Sequence, residues 1–154
     1  MTKGSSAKKR VVLGITIVGL CIFAWIAFRK VQSLMLLGFV DSAIGRMRSL
    51  VAAEDQFARA HPEIGFTCTL AQLPRDDQIA RLVKNGTDNG YVFNLTGCKG
   101  TETNKANSTY VLTARPLRSG LPAFCSNQWG LLTSDDTGSV DKCLGRLDGR
   151  PYPG

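Results

Sequence analysis

The side chains with the widest chemical repertoire are five cysteines (Cys21, Cys68, Cys98, Cys125 and Cys143) and one histidine, His61. One histidine rules out a multi-histidine metal site within a single chain. A Cys–His nucleophilic pair would have to use His61, which stands beside Pro62 with no orienting third group in the pattern. Cys68, Cys98, Cys125 and Cys143 are separated by 30, 27 and 18 positions and contain no C-x-x-C knuckle, a poor match to a zinc site of four thiolates. An even set of four in an oxidising compartment reads instead as two disulfides. Three pairings are open; Cys68–Cys98 with Cys125–Cys143 is the favoured one, the second closing a loop worth about 3 kcal/mol in the chain-entropy model. Cys21 falls in an apolar run and reads as a small apolar residue there.

Other candidates are thinner. Asp135-Asp136 with Asp141 offers hard oxygen ligands for calcium, yet lacks EF-hand spacing and reads as solvated turn carboxylates. Asp76-Asp77 reads as the cap of a short helix. Asn85-Gly86-Thr87, Asn94-Leu95-Thr96 and Asn107-Ser108-Thr109 match the glycosylation sequon, a pattern that chance supplies often. A phosphate-binding glycine loop, a G-x-S-x-G elbow and an H-E-x-x-H site are all missing from the sequence. No catalytic residue, metal ligand or cofactor is therefore expected, and the chain reads as non-enzymatic.

The elements that carry these residues follow from composition. The 154 residues, 44% hydrophobic and 20% charged, suit one globular domain. The net charge of +7 is confined to the N-terminus: residues 1–30 hold Lys3, Lys8, Lys9, Arg10, Arg29 and Lys30 and no acid, leaving thirteen Lys/Arg against twelve Asp/Glu beyond. That distribution excludes a nucleic-acid partner as the reading of the charge. Residues 1–10 form a basic tail. Residues 11–28 are uncharged, and as a helix rising 1.5 Å per residue they cover most of a bilayer's hydrocarbon core. Phe23, Trp25 and Phe28 sit where an aromatic belt would lie. The rival, a cleaved secretory signal, fits less well, because the run exceeds the usual apolar core and no small-x-small pair follows it. The positive-inside rule puts the N-terminus in the cytoplasm and the remainder outside it.

From 31 to 60 the chain contains no proline, and Val40, Ala43, Ile44, Met47, Leu50, Val51 and Phe57 recur at helical spacing, predicting an amphipathic helix ended by His61-Pro62. A short helix is predicted over 76–84, stopped by Asn85-Gly86. Residues 91–96, 108–114, 123–126 and 130–133 read as short strands of an antiparallel meander, with residues 145–154 as a flexible tail. The fold class is α+β: a long N-terminal helix, membrane-spanning then amphipathic, packed on a small antiparallel sheet, with residues 29–144 as the exported domain.

Six short stretches between Ala43 and Leu144 carry a family likeness. Ala43-Ile44-Gly45-Arg46-Met47-Arg48-Ser49-Leu50 leads through Ala52-Ala53-Glu54-Asp55-Gln56-Phe57 to Thr69-Leu70-Ala71-Gln72-Leu73. Gly90-Tyr91-Val92-Phe93-Asn94-Leu95-Thr96-Gly97 and Tyr110-Val111-Leu112-Thr113-Ala114-Arg115-Pro116 follow, then Phe124-Cys125-Ser126. In order and spacing this region resembles the periplasmic part of type IV pilin-like and pseudopilin-like proteins. The resemblance implies the same helix-on-sheet fold, no enzymatic activity, and a role in filament or envelope machinery. In prepilins a Gly-Phe junction precedes the apolar helix; here Gly38-Phe39 follows it, so the anchor is not of prepilin type. The expected protein is a single-pass protein of the bacterial inner membrane. Its C-terminal domain is periplasmic, and its partners are the lipid bilayer and other envelope or pilus-assembly proteins, with room for an oligomer. A membrane-tethered periplasmic sensor or ligand-binding domain is the alternative.

Overall fold

A computed structural model describes residues 5–73, 77–100 and 106–148. The chain divides into two units, Met1–Gly38 and Phe39–Gly154. One helix, α1 (Ser5–Ala60), crosses that boundary. In the first unit every described side chain of α1, over 18–31 and 35–38, is exposed, large apolar groups such as Phe23, Trp25 and Met35 included. The helix contains a window of mean hydropathy 1.6 with none of it buried, long and apolar enough to cross a membrane.

In the second unit α1 is amphipathic. Ala43, Met47, Leu50, Ala53 and Glu54 are buried, with Phe39, Val40, Ile44 and Val51 packed at their flanks, which is the 3.6-residue period the sequence predicts. The helix stops where Pro62 forbids continuation: the His61 amide bonds the Phe57 carbonyl at 2.9 Å, and the two rings meet at 4.6 Å. A one-turn 3-10 helix (Leu70–Gln72), capped by Leu73, and α2 (Asp77–Asn85) follow, and Leu73, Ile79 and Leu82 enter the core. The Asp76–Asp77 cap lies outside the described side chains.

The sheet is a five-stranded antiparallel meander in the order β1-β2-β3-β4-β5: β1 (Thr87–Asp88), β2 (Tyr91–Gly100), β3 (Asn107–Pro116), β4 (Ala123–Asn127) and β5 (Leu132–Asp135). Asn89-Gly90, with φ of 42° and 80°, makes the two-residue turn between β1 and β2. Register decides which face each residue serves. Phe93 pairs with Ala114, Leu95 with Leu112, and Ala114 in turn with Phe124, so these residues share the face that buries α1. The opposite face carries Thr113, Cys125 and Thr133 in one cross-strand row.

A further helix, α3 (Val140–Asp148), packs on that second face through Cys143 and Leu147, with Leu131 and Leu144 at their edge. This corrects the expected tail: residues 145–148 are helical and Leu147 is buried, while 149–154 lie outside the described residues. The cause is local. The Ser139 hydroxyl accepts from the Lys142 amide at the helix start, and Val140, Cys143, Leu144 and Leu147 fall on one stripe. With α1 on one face and α3 on the other, Ala123 to Ser126 of β4 are all buried.

Candidate functional site

Among the described residues, two buried polar centres and one membrane-competent surface concentrate the chemistry. The surface is the apolar part of α1, where the Arg29 guanidinium lies 4.9 Å from the Trp25 ring centroid. An aromatic ring beside a cation is the pairing expected at a lipid–water boundary, with the apolar body toward the chains and the charge toward headgroups.

The first polar centre lies where the connection after α1 crosses the sheet. Gly65 bridges Asn107 in parallel: the Phe66 amide donates to the Asn107 carbonyl at 3.0 Å, and the Asn107 amide to the Ile64 carbonyl at 2.7 Å. Only glycine fits at 65, since its φ is 75° and a Cβ would stand 2.2 Å from the Asn107 oxygen. This docking delivers Thr67 to Glu54 on α1. The carboxylate of Glu54 is fully buried and accepts the Thr67 amide at 2.8 Å and the Thr67 hydroxyl in a short bond. Burial pushes the Glu54 carboxyl above its ordinary value despite both bonds, and Asp55 adds to the rise. Tyr110 is fully buried nearby, its hydroxyl unpartnered among the described residues and its pKa raised by burial first and by Asp55 and Glu54 second.

Cys68 and Cys98 complete this centre. Between Thr96 and Lys99 the register slips, because β2 takes three steps from 96 to 99 while β3 takes two from Val111 to Thr109. That bulge, at Gly97 with φ of 75°, reverses the alternation and turns Cys98 toward the side of Tyr91, Phe93 and Leu95. There the Cys98 thiol donates to the Thr67 carbonyl at 2.9 Å, and the Asn107 side-chain amide donates to the Cys68 sulfur at 3.1 Å. The favoured pair Cys68–Cys98 is thus brought together as two free thiols, the Cys68 thiol beside that of Cys98.

Cys125 and Cys143 are bonded to each other, with Cα atoms 6.0 Å apart, fastening α3 to β4. Both are fully buried, and the Thr133 hydroxyl lies 3.0 Å from the Cys125 sulfur. Cys21, on the apolar part of α1, is exposed.

The second polar centre corrects the reading of Asp135 as a solvated turn carboxylate. Asp135 is 1% exposed. It accepts from the Thr137 hydroxyl and amide, the Ser139 amide and Arg146, the last at 3.1 Å. The Thr137 hydroxyl is the main cause holding its carboxyl below the usual range, and Arg146 contributes. Asp136 and Asp141 are exposed, and among the described residues no group of three or more His, Cys, Asp and Glu is placed to hold a metal ion. His61 faces Glu63 at 3.6 Å at the surface. Two shallow hollows flank Leu132 on the sheet edge. One, of about 170 Å³, lies against Met47, Val51 and Gly130; the other, of about 310 Å³, against Ile44, Phe124 and Arg146.

No family model, no curated protein and no solved structure matches this chain. The reading of its role therefore stands on the residues and geometry above. Sequence reasoning missed Glu54 and Asp135 as buried centres. Glu54 sits seven residues past Met47 on the apolar stripe, and Asp135 precedes Thr137 and Ser139 by the short spacings of a carboxylate-capped turn, so both had a signal.

Proposed function

We propose that this is a non-catalytic, single-pass membrane-anchored protein whose pilin-like domain makes protein–protein contacts in the cell envelope, as a minor component of a type IV pilus or of a type II-like secretion apparatus. One observation carries the reading. A single helix bears an apolar stretch whose described side chains are all exposed and, further along, an amphipathic stretch whose apolar face is buried by an antiparallel meander. That arrangement is compatible with the pilin-like fold the sequence resembles. The basic residues ahead of the apolar stretch favour a cytoplasmic N-terminus, and the Cys125–Cys143 bond suits an oxidising compartment for the domain.

The test takes the full chain in bacterial cells. It is expected to stay in the membrane fraction through alkaline carbonate washing, and a C-terminal alkaline phosphatase fusion, which folds only outside the cytoplasm, is expected to be active. Release by carbonate, or activity only from a cytosolic reporter, overturns the topology. A deletion strain is expected to lose surface filaments or secreted protein, and a strain unchanged in both overturns the assembly role.

A further inference from the structure

We infer that Cys68 and Cys98 form a thiol–disulfide exchange site, in which Cys68 is the sulfur that attacks an external disulfide and Cys98 is the resolving thiol that closes a bond between the connection after α1 and β2. Such a site takes low-molecular-weight or protein disulfides as its substrate class. It is chemically distinct from the Cys125–Cys143 bond, which is already closed and fully buried.

The geometry gives the two sulfurs different roles. Cys98 is a donor whose proton is held on the Thr67 carbonyl at 2.9 Å, and it lies on the core-facing side of the β2 bulge. Cys68 is an acceptor, facing the Asn107 amide at 3.1 Å, and both cysteines are partly buried. The Gly65–Asn107 bridge and the Glu54–Thr67 bonds anchor the residues just ahead of Cys68, and the Cys68 and Cys98 side chains lie within hydrogen-bonding reach of each other. Burial, with smaller effects from Cys68 and Glu54, pushes the Cys98 thiol up to about 12, which suits a resolving thiol and not a first attacker.

The exchange balances. Cys68, as the thiolate, attacks one sulfur of a disulfide R–S–S–R, forming Cys68–S–S–R and expelling one R–S⁻, which takes up the Cys68 proton. Cys98 then attacks the Cys68 sulfur of the mixed disulfide and expels the second R–S⁻, which leaves with the Cys98 proton. Two protein thiols are oxidised, and one disulfide is reduced to two thiols.

The experiment uses the full chain in detergent, in a Cys21→Ser background, after mild reduction that spares Cys125–Cys143. The probe is oxidised glutathione, and non-reducing peptide mapping is the readout. The otherwise unaltered chain is expected to show a Cys68–Cys98 link and no lasting adduct. Cys98→Ser is expected to retain a glutathione adduct on Cys68. In Cys68→Ser the adduct on Cys98 is expected to form more slowly than the Cys68 adduct forms in Cys98→Ser, because the Thr67 carbonyl holds the Cys98 proton and burial opposes its loss. The inference is overturned if no Cys68–Cys98 link forms while Cys125–Cys143 stays intact, or if the two single variants acquire adducts at equal rates. The linking result in the unaltered chain does not depend on either variant folding, and none of these readouts depends on the membrane topology proposed above.

Discussion

Removing the bond between α3 and β4 by the double substitution Cys125→Ala, Cys143→Ala tests the physical account of the C-terminal half. The bond closes a loop with a sequence separation of 18. In the chain-entropy model a loop of that size restricts the unfolded chain by about 3 kcal/mol. For a unit the size of Phe39–Gly154, each kcal/mol moves the melting temperature by about 4 °C, so the variant is expected to melt about 12 °C lower. The loss should not be uniform. α3 is held by a small apolar cluster of Cys143 and Leu147 with Leu131 and Leu144, whereas β2, β3 and β4 share the large core under α1. Amide exchange in α3 is therefore expected to accelerate more than exchange in β2 or β3, because the helix can detach while the sheet stays paired. Thermal unfolding followed by circular dichroism and exchange followed by mass spectrometry measure the two quantities. A melting shift below about 4 °C, with α3 amides as protected as before, would refute the claim that the bond confines this helix.

Three other outcomes follow from the same geometry. Leu50→Ala, at a position 1% exposed between helix and sheet, is expected to cost about 2–5 kcal/mol in denaturant unfolding, and a loss under about 1 kcal/mol would mean that α1 does not form the core. Gly65→Ala places a methyl group against the Asn107 backbone at positive φ and is expected to cost more than about 2 kcal/mol, with weakened amide protection at Phe66 and Asn107 as the local signature. Glu54 has a folded-state pKa above its ordinary 4.5, so its contribution to stability is complete below about pH 4.5 and is lost as pH rises through the raised value. Glu54→Gln is accordingly expected to gain stability relative to the native chain between pH 4 and pH 7 in paired denaturant titrations, and a gain that does not grow with pH contradicts the assignment.

How much of this was legible depended on whether the signal was local. The stretch from Val40 to Val51 declared its helix, because a 3.6-residue period against a sheet leaves a repeating mark, and His61-Pro62 declared its end. The strands were legible by type but ran longer than expected: β2 reaches Gly100 and β3 begins at Asn107. Strand ends are set by pairing with a neighbour, not by the strand's own residues. α3 had a visible stripe but was obscured by Gly145 and by the turn residues around it.

The buried polar centres belonged to the other category. Asp135 is an ordinary turn aspartate until Arg146, eleven residues on, folds back over it, and Glu54 is an ordinary helix acid until Gly65 docks on Asn107 and carries Thr67 to its carboxylate. The α+β class, the apolar stretch of α1 and the amphipathic face that follows were settled by composition and periodicity, since burial acts on each side chain where it stands. Which cysteines bond, which carboxylates lose water and which way Cys98 points were settled only once the strands had paired. A one-residue slip in register at Gly97 moves a side chain from one face of the sheet to the other, and no local pattern records it.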